Sequence, residues 1–575
     1  MILQSLVDYY ERKAADPESG LAEPGFERKE IPFVIVIGRD GHFVMLEDTR
    51  EIAGKKKRAR SYLVPQGAKK TSGVAANLLW DTAEYAVRAV IKSKLSRVDE
   101  QHAAFMARLD VLPAEDPGIF ALRQFLAASP LDVLQTQPLW PEIQESNPVL
   151  SFRMVEDVEL IAQRPSIVAA VRASQAASTD VANGICLVSG NESPVERLHA
   201  AIKGVWGSQS SGANIVSFNQ RSFESYGKEQ RQGENAPVGQ YAAFAYTTAL
   251  NHLLGKDSSQ RIQVGDTSTV FWANKPCELE DVFQSLWSEP QKDDPDRAGH
   301  AVQALYRSVQ QGFSPPSQET TRFFVLGLAP NAARISIRFW QTGSVAEFSA
   351  RICQHFTDIA IEHAPHDPDA PSLYRLLVST AGLGKSDNIP PNLAGDVMRA
   401  ILSGLPYPST LLYAVVRRIR AEQTVNYYRA ALIKACLNRF SRHLNQKEDV
   451  TLSLDLNNSH PGYRLGRLFA VLEKIQEEAS PGLNTTIRDR FYGAASSSPV
   501  SVFANLMKLK NHHLAKIENK GRAINLEKII GEIMDGLDDF PSQLSIHDQG
   551  RFAVGYYHQK QSFYKKSDSV KGESA

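Results

Sequence analysis

The chain has few cysteines, no net charge and no long uncharged apolar segment. Because no CxxC pair occurs, the sequence predicts neither a disulfide framework nor a zinc ribbon, and we expect a reducing cytoplasm. Charged residues interrupt the first apolar stretch, and no uncharged run of membrane-spanning length follows, so we expect no membrane or export role. The widely separated cysteines are Cys186, Cys277, Cys353 and Cys436.

The sequence also lacks the motifs of familiar hydrolases. A GxSxG elbow, a GxxxxGK[ST] phosphate loop and an HExxH helix are all missing. We therefore expect no catalytic residue, no cofactor and no bound metal. One group of residues could ligate a metal, but its spacing matches no zinc pattern, and surface histidines explain it better. It comprises Cys353, His355, His363, His366 and Asp367.

Lys plus Arg and Asp plus Glu number 64 each among the 575 residues. A nucleic-acid role must therefore come from local patches rather than from net charge. The length predicts several domains, and strand signals fade toward the C-terminus. We expect a multi-domain α+β protein with an N-terminal mixed region at 1–180, a central α/β region at 181–390 and a C-terminal helical bundle at 391–575.

Periodicity predicts individual elements within these regions. A hairpin is expected at 31–46, and one face of a late helix carries apolar residues from Leu526 to Leu537. The other predicted helices are 74–91 and 239–254. The other predicted strands are 185–188, 215–218, 269–273 and the pair FFVLGLAP and ARISIRFW.

Residues 197–251 are rich in Ser, Gln, Asn and Gly, with a single acidic residue, Glu224, before Lys228. Amides and hydroxyls can meet base edges, and glycines let backbone N–H groups approach a phosphate. An ordinary Gly/Ser turn is the competing interpretation. The residues predicted to read a DNA groove here are Gln209, Ser210, Ser211, Asn214 and Asn219, and those predicted to contact the backbone are Lys203 and Lys228.

The segment 55–70, KKKRARSYLVPQGAKK, carries seven basic residues and no acidic one, and predicts an extended loop. Its cations can neutralise phosphates, although a solvated surface loop is the competing interpretation. Asn77 can pair with an adenine edge or cap a turn. The predicted backbone contacts are Lys55, Lys56, Lys57, Arg58 and Arg60, and the predicted duplex contacts are Lys69, Lys70, Thr71 and Asn77.

Basic residues also recur at 417–442 with two tyrosines between them, which is typical of a surface that tracks a single strand by charge and stacking. A solvated face with buried tyrosines fits equally well. The predicted contacts to a displaced strand are Arg417, Arg418, Arg420, Arg429, Lys434, Arg439 and Arg442.

Several blocks, in order along nearly the whole chain, resemble the large subunit of type I-C CRISPR effector complexes (Cascade). They are YLVPQGAKKTSG with NLLWDTAEYAV, residues 197–251, VGDTSTVFWA, FFVLGLAPNAARISIRFW, YPSTLLYAVVRRIRAEQTVNYYRAALIKACLNR and the terminal GYYHQK. The C-terminal part resembles the small subunit of related complexes.

The resemblance implies a non-catalytic subunit that recognises a short flanking motif on double-stranded DNA. It implies contacts with the guide RNA, with the target duplex and displaced strand, with the backbone and handle-binding subunits, and with a recruited helicase-nuclease. It also implies a separate small subunit made by internal translation. The alternatives are a metal-dependent nuclease acting on guide or target, and a general single-strand-binding protein.

Overall fold

The computed structural model describes residues 2–16, 19–53, 56–68, 73–176, 183–228, 231–264, 266–288, 300, 302–303, 305, 320–448 and 450–564. The chain divides into two compact units. Unit 1 comprises Met1–Ile202 and Val216–His252, and unit 2 comprises Lys203–Ile215 and Leu253–Ala575. The α+β class is confirmed, whereas the division into three regions stays a prediction.

Unit 1 combines eight described helices with ten short strands. The helices are α1 (Ile2–Ala14), α2 (Ala83–Ala86), α3 (Leu95–Leu109), α4 (Pro117–Ala127), α5 (Leu131–Gln135), α6 (Trp140–Ser146), α7 (Pro165–Ala176) and α8 (Gln240–Leu253). The strands are β1 (Phe26–Glu30), β2 (Phe33–Ile37), β3 (Phe43–Asp48), β4 (Glu51–Ala53), β5 (Lys56–Arg58), β6 (Ser61–Pro65), β7 (Trp80–Thr82), β8 (Val149–Met154), β9 (Asn183–Ile185) and β10 (Glu192–Pro194).

The main sheet of unit 1 has the order β3-β2-β8-β7. β2 and β8 run parallel, and the outer pairs are antiparallel. Every residue of β2 is buried, as expected for an apolar run covered on both faces. The hairpin predicted at 31–46 is therefore confirmed, with its first strand beginning at Phe33.

Three predictions for unit 1 are wrong. The strand predicted at 185–188 is misplaced, because β9 ends at Ile185 and residues 186–188 form no strand. The sequence 74–91 forms β7 and the one-turn helix α2 rather than one long helix, because Asp81 accepts hydrogen bonds from backbone N–H groups on either side and fixes a turn. The basic segment is not an extended loop. β5 pairs with β4 and β6 pairs with β1, both antiparallel.

Unit 2 begins with a sheet and continues as helices. The strands are β11 (Arg261–Val264), β12 (Thr267–Ala273), β13 (Arg322–Asn331) and β14 (Arg334–Ser344). The helices are α9 (Glu278–Trp287), α10 (Val345–Ile359), α11 (Leu373–Val378), α12 (Leu393–Ser403), α13 (Ser409–Glu422), α14 (Tyr427–His443), α15 (Pro461–Ala479), α16 (Ile487–Ser497), α17 (Val500–Lys516), α18 (Lys520–Met534) and α19 (Ile546–Ser562).

The sheet of unit 2 is antiparallel in the order β11-β12-β13-β14. This confirms the predicted strand at 269–273 and the predicted final strand pair. The predicted strand at 215–218 is wrong, because these residues are not in a strand and only isolated bridge residues precede them, among them Asn214, which pairs with Arg334.

The C-terminal helices pack as predicted, although helices already dominate from Val345 onward. Leu526, Ile530 and Ile533 of α18 are buried in one apolar core. α15 and α19 approach so closely that a Cβ on Gly466 would lie 2.0 Å from the Phe552 carbonyl oxygen. Glycine is therefore required where these two backbones meet.

Candidate nucleic-acid interface

The polar turn 205–214 is anchored to the sheet of unit 2 at both ends. At its start, the Trp206 N–H donates to Ser268 Oγ at 3.0 Å. At its end, the Ile335 N–H donates to the Asn214 carbonyl at 3.0 Å. Gly207 and Gly212 adopt φ values of +75° and +92°, which other residues rarely do, so they set the bends between these anchors.

The turn presents its polar side chains to solvent. Gln209, Ser210 and Ser211 are exposed, whereas Asn214 is half-buried. The indole of Trp206 is 61% exposed beside them. The structure thus brings four of the five predicted groove-reading residues onto one anchored turn, together with an aromatic ring that the sequence analysis did not single out.

The fifth predicted reader, Asn219, is exposed but belongs to unit 1. Of the two predicted backbone contacts, Lys203 in unit 2 is exposed. Lys228 in unit 1 is half-buried, and its Nζ donates to the Glu234 carbonyl at 2.9 Å. The Lys228 ammonium therefore holds its own loop together.

Asn77 is buried and structural. Its Oδ1 accepts from the Ala68 N–H at 3.0 Å, and its N–H donates to Asp81 Oδ2 at 2.9 Å. With 5% of its surface exposed, the side chain cannot reach a base edge, so its prediction as a duplex contact is corrected. Lys69, Lys70 and Thr71, predicted to act beside it, lie outside the described residues.

The remaining basic segment is partly paired. Lys57 is exposed, and Arg58 Nε lies 3.3 Å from Glu30 Oε1. The exposed Arg60 guanidinium lies over the Tyr62 ring at 5.5 Å from its centroid. Lys56 lies in β5, and Lys55 lies outside the described residues. The segment therefore presents cations along short strands.

Three of the seven predicted displaced-strand residues are buried in unit 2. Arg429 Nε donates to the Ser379 carbonyl at 2.9 Å. Lys434 Nζ donates to the Asp358 carbonyl at 2.9 Å, and burial lowers the pKa of its amine. The guanidinium of Arg439 bonds to Asp358 Oδ2 at 2.9 Å and lies over the Tyr407 ring. The prediction that these side chains line the surface is corrected.

Asp358 is the organising acid that sequence reasoning missed. Its Oδ1 also accepts from Arg442 at 2.7 Å, and Arg442 binds Glu448 as well. The hydrogen bonds that Arg442 donates to Asp358 and, with a smaller effect, to Glu448 raise the pKa of its guanidinium. The sequence signal is weak, because Asp358 lies 81 residues before Arg439 along the chain.

The predicted displaced-strand residues that are exposed lie on one face of α13. Arg417 and Arg420 are exposed, and Tyr413, one turn before Arg417, is 56% exposed on the same face. Arg418 pairs with Glu422 at 3.3 Å. An aromatic ring followed by two cations at helical spacing is a surface to which an unpaired strand can bind by stacking and charge.

Among the described residues, no three His, Cys, Asp or Glu side chains are grouped so as to hold a metal ion. His355, one of the candidate ligands, is buried, so its interpretation as a surface histidine is wrong, and its Nδ1 contacts the Tyr407 hydroxyl at 2.6 Å. No helix in the described part of the chain is long and apolar enough to cross a membrane.

Comparison with known proteins identifies a family. The family model described as CRISPR-associated protein (Cas_Csd1) matches residues 6–564. No curated protein matches the chain. The match spans the same blocks on which the resemblance to a CRISPR subunit rests, from the basic segment to GYYHQK. Since it covers nearly all of the 575 residues, the chain belongs to the Cas_Csd1 family of CRISPR-associated proteins.

Proposed function

We propose that this chain is the non-catalytic large subunit of a type I-C CRISPR effector complex. In this role it recognises a short flanking motif on double-stranded DNA, promotes unwinding, holds the displaced strand and helps to recruit the helicase-nuclease. Family membership supports a subunit of a CRISPR complex that works with other Cas proteins and nucleic acids. The observation that carries the finer assignment is the exposed, doubly anchored turn 205–214.

The proposed division of labour has a physical basis. In RNA-guided effectors, base pairing with the guide supplies most sequence specificity, so the protein needs to recognise only a few base pairs. A side-chain amide that pairs with one base contributes about 1–3 kcal/mol of discrimination. Gln209 and its neighbouring hydroxyls are enough for such a short motif, provided that the turn holds them in place.

The backbone contacts are assigned separately. Lys57, Arg60 and Lys203 are exposed cations that suit phosphates of the duplex. Arg417 and Arg420 on α13 suit the displaced strand. The buried residues Arg429, Lys434 and Arg439 are not part of this proposal. The proposal does include a small-subunit-like role for the C-terminal helices and a separate small subunit made by internal translation.

The proposal is tested with guide-loaded complexes that carry Gln209→Ala. We expect the ratio of affinities for DNA with the correct and an incorrect flanking motif to fall by about 5- to 150-fold, which corresponds to the loss of one base contact. Gln446→Ala, which removes an exposed glutamine elsewhere in unit 2, is the matched control and should discriminate as the unmodified complex does. Unchanged discrimination by Gln209→Ala contradicts the assignment.

A separate experiment tests the non-catalytic role. Labelled guide RNA or target DNA is incubated with the purified chain and magnesium or manganese. We expect no cleavage. Cleavage that persists through repurification supports the metal-dependent nuclease instead.

A further inference from the structure

Tyr226 lies in a short turn of unit 1, residues 225–228, and 97% of its surface is exposed. Its φ is +55°, in the left-handed region that bulky side chains rarely adopt, and Gly227 follows at φ +70°. A residue keeps such a conformation only where its surroundings impose it, and such positions cluster at functional sites. Neither the predicted groove readers nor the predicted backbone contacts include this ring.

One side chain fixes the turn. The amide nitrogen of Asn235 donates to the Lys228 carbonyl at 3.2 Å and to the Gln232 carbonyl at 3.0 Å, and its oxygen accepts from the Ser225 N–H at 3.1 Å. The ammonium of Lys228 adds a bond to the Glu234 carbonyl. Both ends of the turn are therefore held, so the ring is kept away from the protein surface instead of packing against it.

The surroundings of the ring are polar. Apart from Phe223, which is 40% exposed, the exposed side chains preceding it carry amides, hydroxyls or a guanidinium. A tyrosine that anchors a protein interface usually fills a pocket within an apolar patch, whereas the described residues at 219–225 are mostly polar. An aromatic ring can stack on a nucleotide base, and a nearby cation can contact the phosphate of the same strand. The exposed polar residues are Asn219, Gln220, Arg221, Ser222 and Ser225.

We propose that Tyr226 is a stacking site for an unpaired DNA base, and that Arg221 contacts the adjoining phosphate. The inference rests on the proposed function, because it assigns a further contact to the same target DNA. Every base has a π face, so stacking adds affinity for opened DNA without reading its sequence. The turn 205–214 reads the motif, and Tyr226 retains a base that unwinding has released.

The test uses the guide-loaded complex and target DNA whose flanking motif adjoins a short unpaired segment. We expect Tyr226→Ala to weaken binding by about 5- to 150-fold, the range that corresponds to the loss of one stacked base. Tyr226→Phe should bind as the unmodified complex does, because it keeps the ring. Tyr564→Ala removes a tyrosine that is 70% exposed in unit 2 and should also leave binding unchanged.

An abasic scan locates the contact. One nucleotide of the unpaired segment at a time is replaced by an abasic site, and the ratio of affinities between the unmodified and Tyr226→Ala complexes is measured. We expect this ratio to fall close to one at a single position, where the base that stacks is missing. A structural role for Tyr226 would lower affinity equally at every position, and that result overturns the proposal.

Other outcomes are equally decisive. The proposal is overturned if Tyr226→Ala binds opened DNA as tightly as the unmodified complex, or if Tyr226→Phe is as weak as Tyr226→Ala. Failure of Tyr226→Ala to join the complex would show that the ring docks a protein, and it also overturns the proposal. Motif discrimination by the unmodified complex is measured in parallel. Its absence contradicts the proposed function, whereas its presence with an unaffected Tyr226→Ala contradicts only this inference.

Discussion

His355 and His558 are buried in unit 2, and each has one ring nitrogen in contact with a tyrosine hydroxyl. His355 Nδ1 lies 2.6 Å from the hydroxyl of Tyr407, and His558 Nδ1 lies 2.9 Å from that of Tyr463. The Nε2 atoms are buried and have no hydrogen-bond partner among the described residues. Burial, with a smaller effect from nearby cations, lowers the pKa of each histidine to about 3.

These histidines make the stability of unit 2 depend on pH. Their folded pKa lies below the ordinary value of 6.5, so the unfolded chain binds protons more readily. Stability is therefore fully present above pH 6.5 and falls as the pH drops toward 3, by up to about 1.4 kcal/mol per pH unit for each histidine. We expect His355→Gln to remove one such contribution in denaturant unfolding between pH 7 and pH 4. His366→Gln, whose side chain is 83% exposed, should keep the original slope, and an equal slope in His355→Gln would contradict the account.

The sequence alone could not predict which basic residues are exposed and which are buried. The turn 205–214 could be chosen as a candidate site because Gly, Ser and Gln cluster locally, and its exposure agrees with that choice. Arg429 and Arg439 carry the same charge as Arg417, but their partners Ser379 and Asp358 lie 50 and 81 residues away along the chain. Local charge cannot distinguish a cation that faces solvent from one that binds a distant carbonyl or carboxylate.

At the scale of secondary structure, strong local periodicity was sufficient to predict long helices and strands. It was not sufficient where side chains fix a turn. The helix predicted at 239–254 matches α8, and the strand pair β13 and β14 was found from its apolar residues. The sequence 74–91 also has helical composition, but hydrogen bonds to Asp81 compete with helix formation there. The α+β class could be predicted because helical and strand periodicities both recur along the chain. The bounds of short strands could not, because they depend on pairing with segments that are remote in the sequence.

The contact between α15 and α19 gives a test at this scale. A methyl group on Gly466 would lie 2.0 Å from the Phe552 carbonyl oxygen, and the backbone cannot easily move away. We expect Gly466→Ala to lower the free energy of unfolding of unit 2 by about 1–3 kcal/mol or more, through overpacking. The measurement is denaturant unfolding followed by circular dichroism.

A second helical glycine provides the control. A Cβ on Gly493 in α16 would meet no atom within 4 Å, so Gly493→Ala should raise stability by about 0.5–1 kcal/mol because alanine favours the helix. Equal effects of the two substitutions would show that close approach is not what requires glycine at position 466.

At the scale of the whole molecule, charge is balanced overall and uneven locally. With 64 basic and 64 acidic residues, the chain has no net attraction for nucleic acid. Many of its cations form ion pairs or hydrogen bonds within the protein, as do the arginines around Asp358. Attraction to DNA must therefore come from local groups of exposed cations, and the resulting binding should depend on salt in proportion to the number of phosphates that they neutralise.

This dependence can be measured for the exposed face of α13. Each cation that neutralises a phosphate of a single strand contributes about 0.7 to the slope of log affinity against log salt concentration. We expect the double variant Arg417→Gln with Arg420→Gln to reduce that slope by about 1.4 in the guide-loaded complex bound to target DNA. Lys528→Gln, which removes a cation that is 74% exposed on α18, should leave the slope unchanged. Because α13 is assigned to the displaced strand, the difference should disappear on targets that lack this strand, and a difference that persists there would place the two arginines on another part of the nucleic acid.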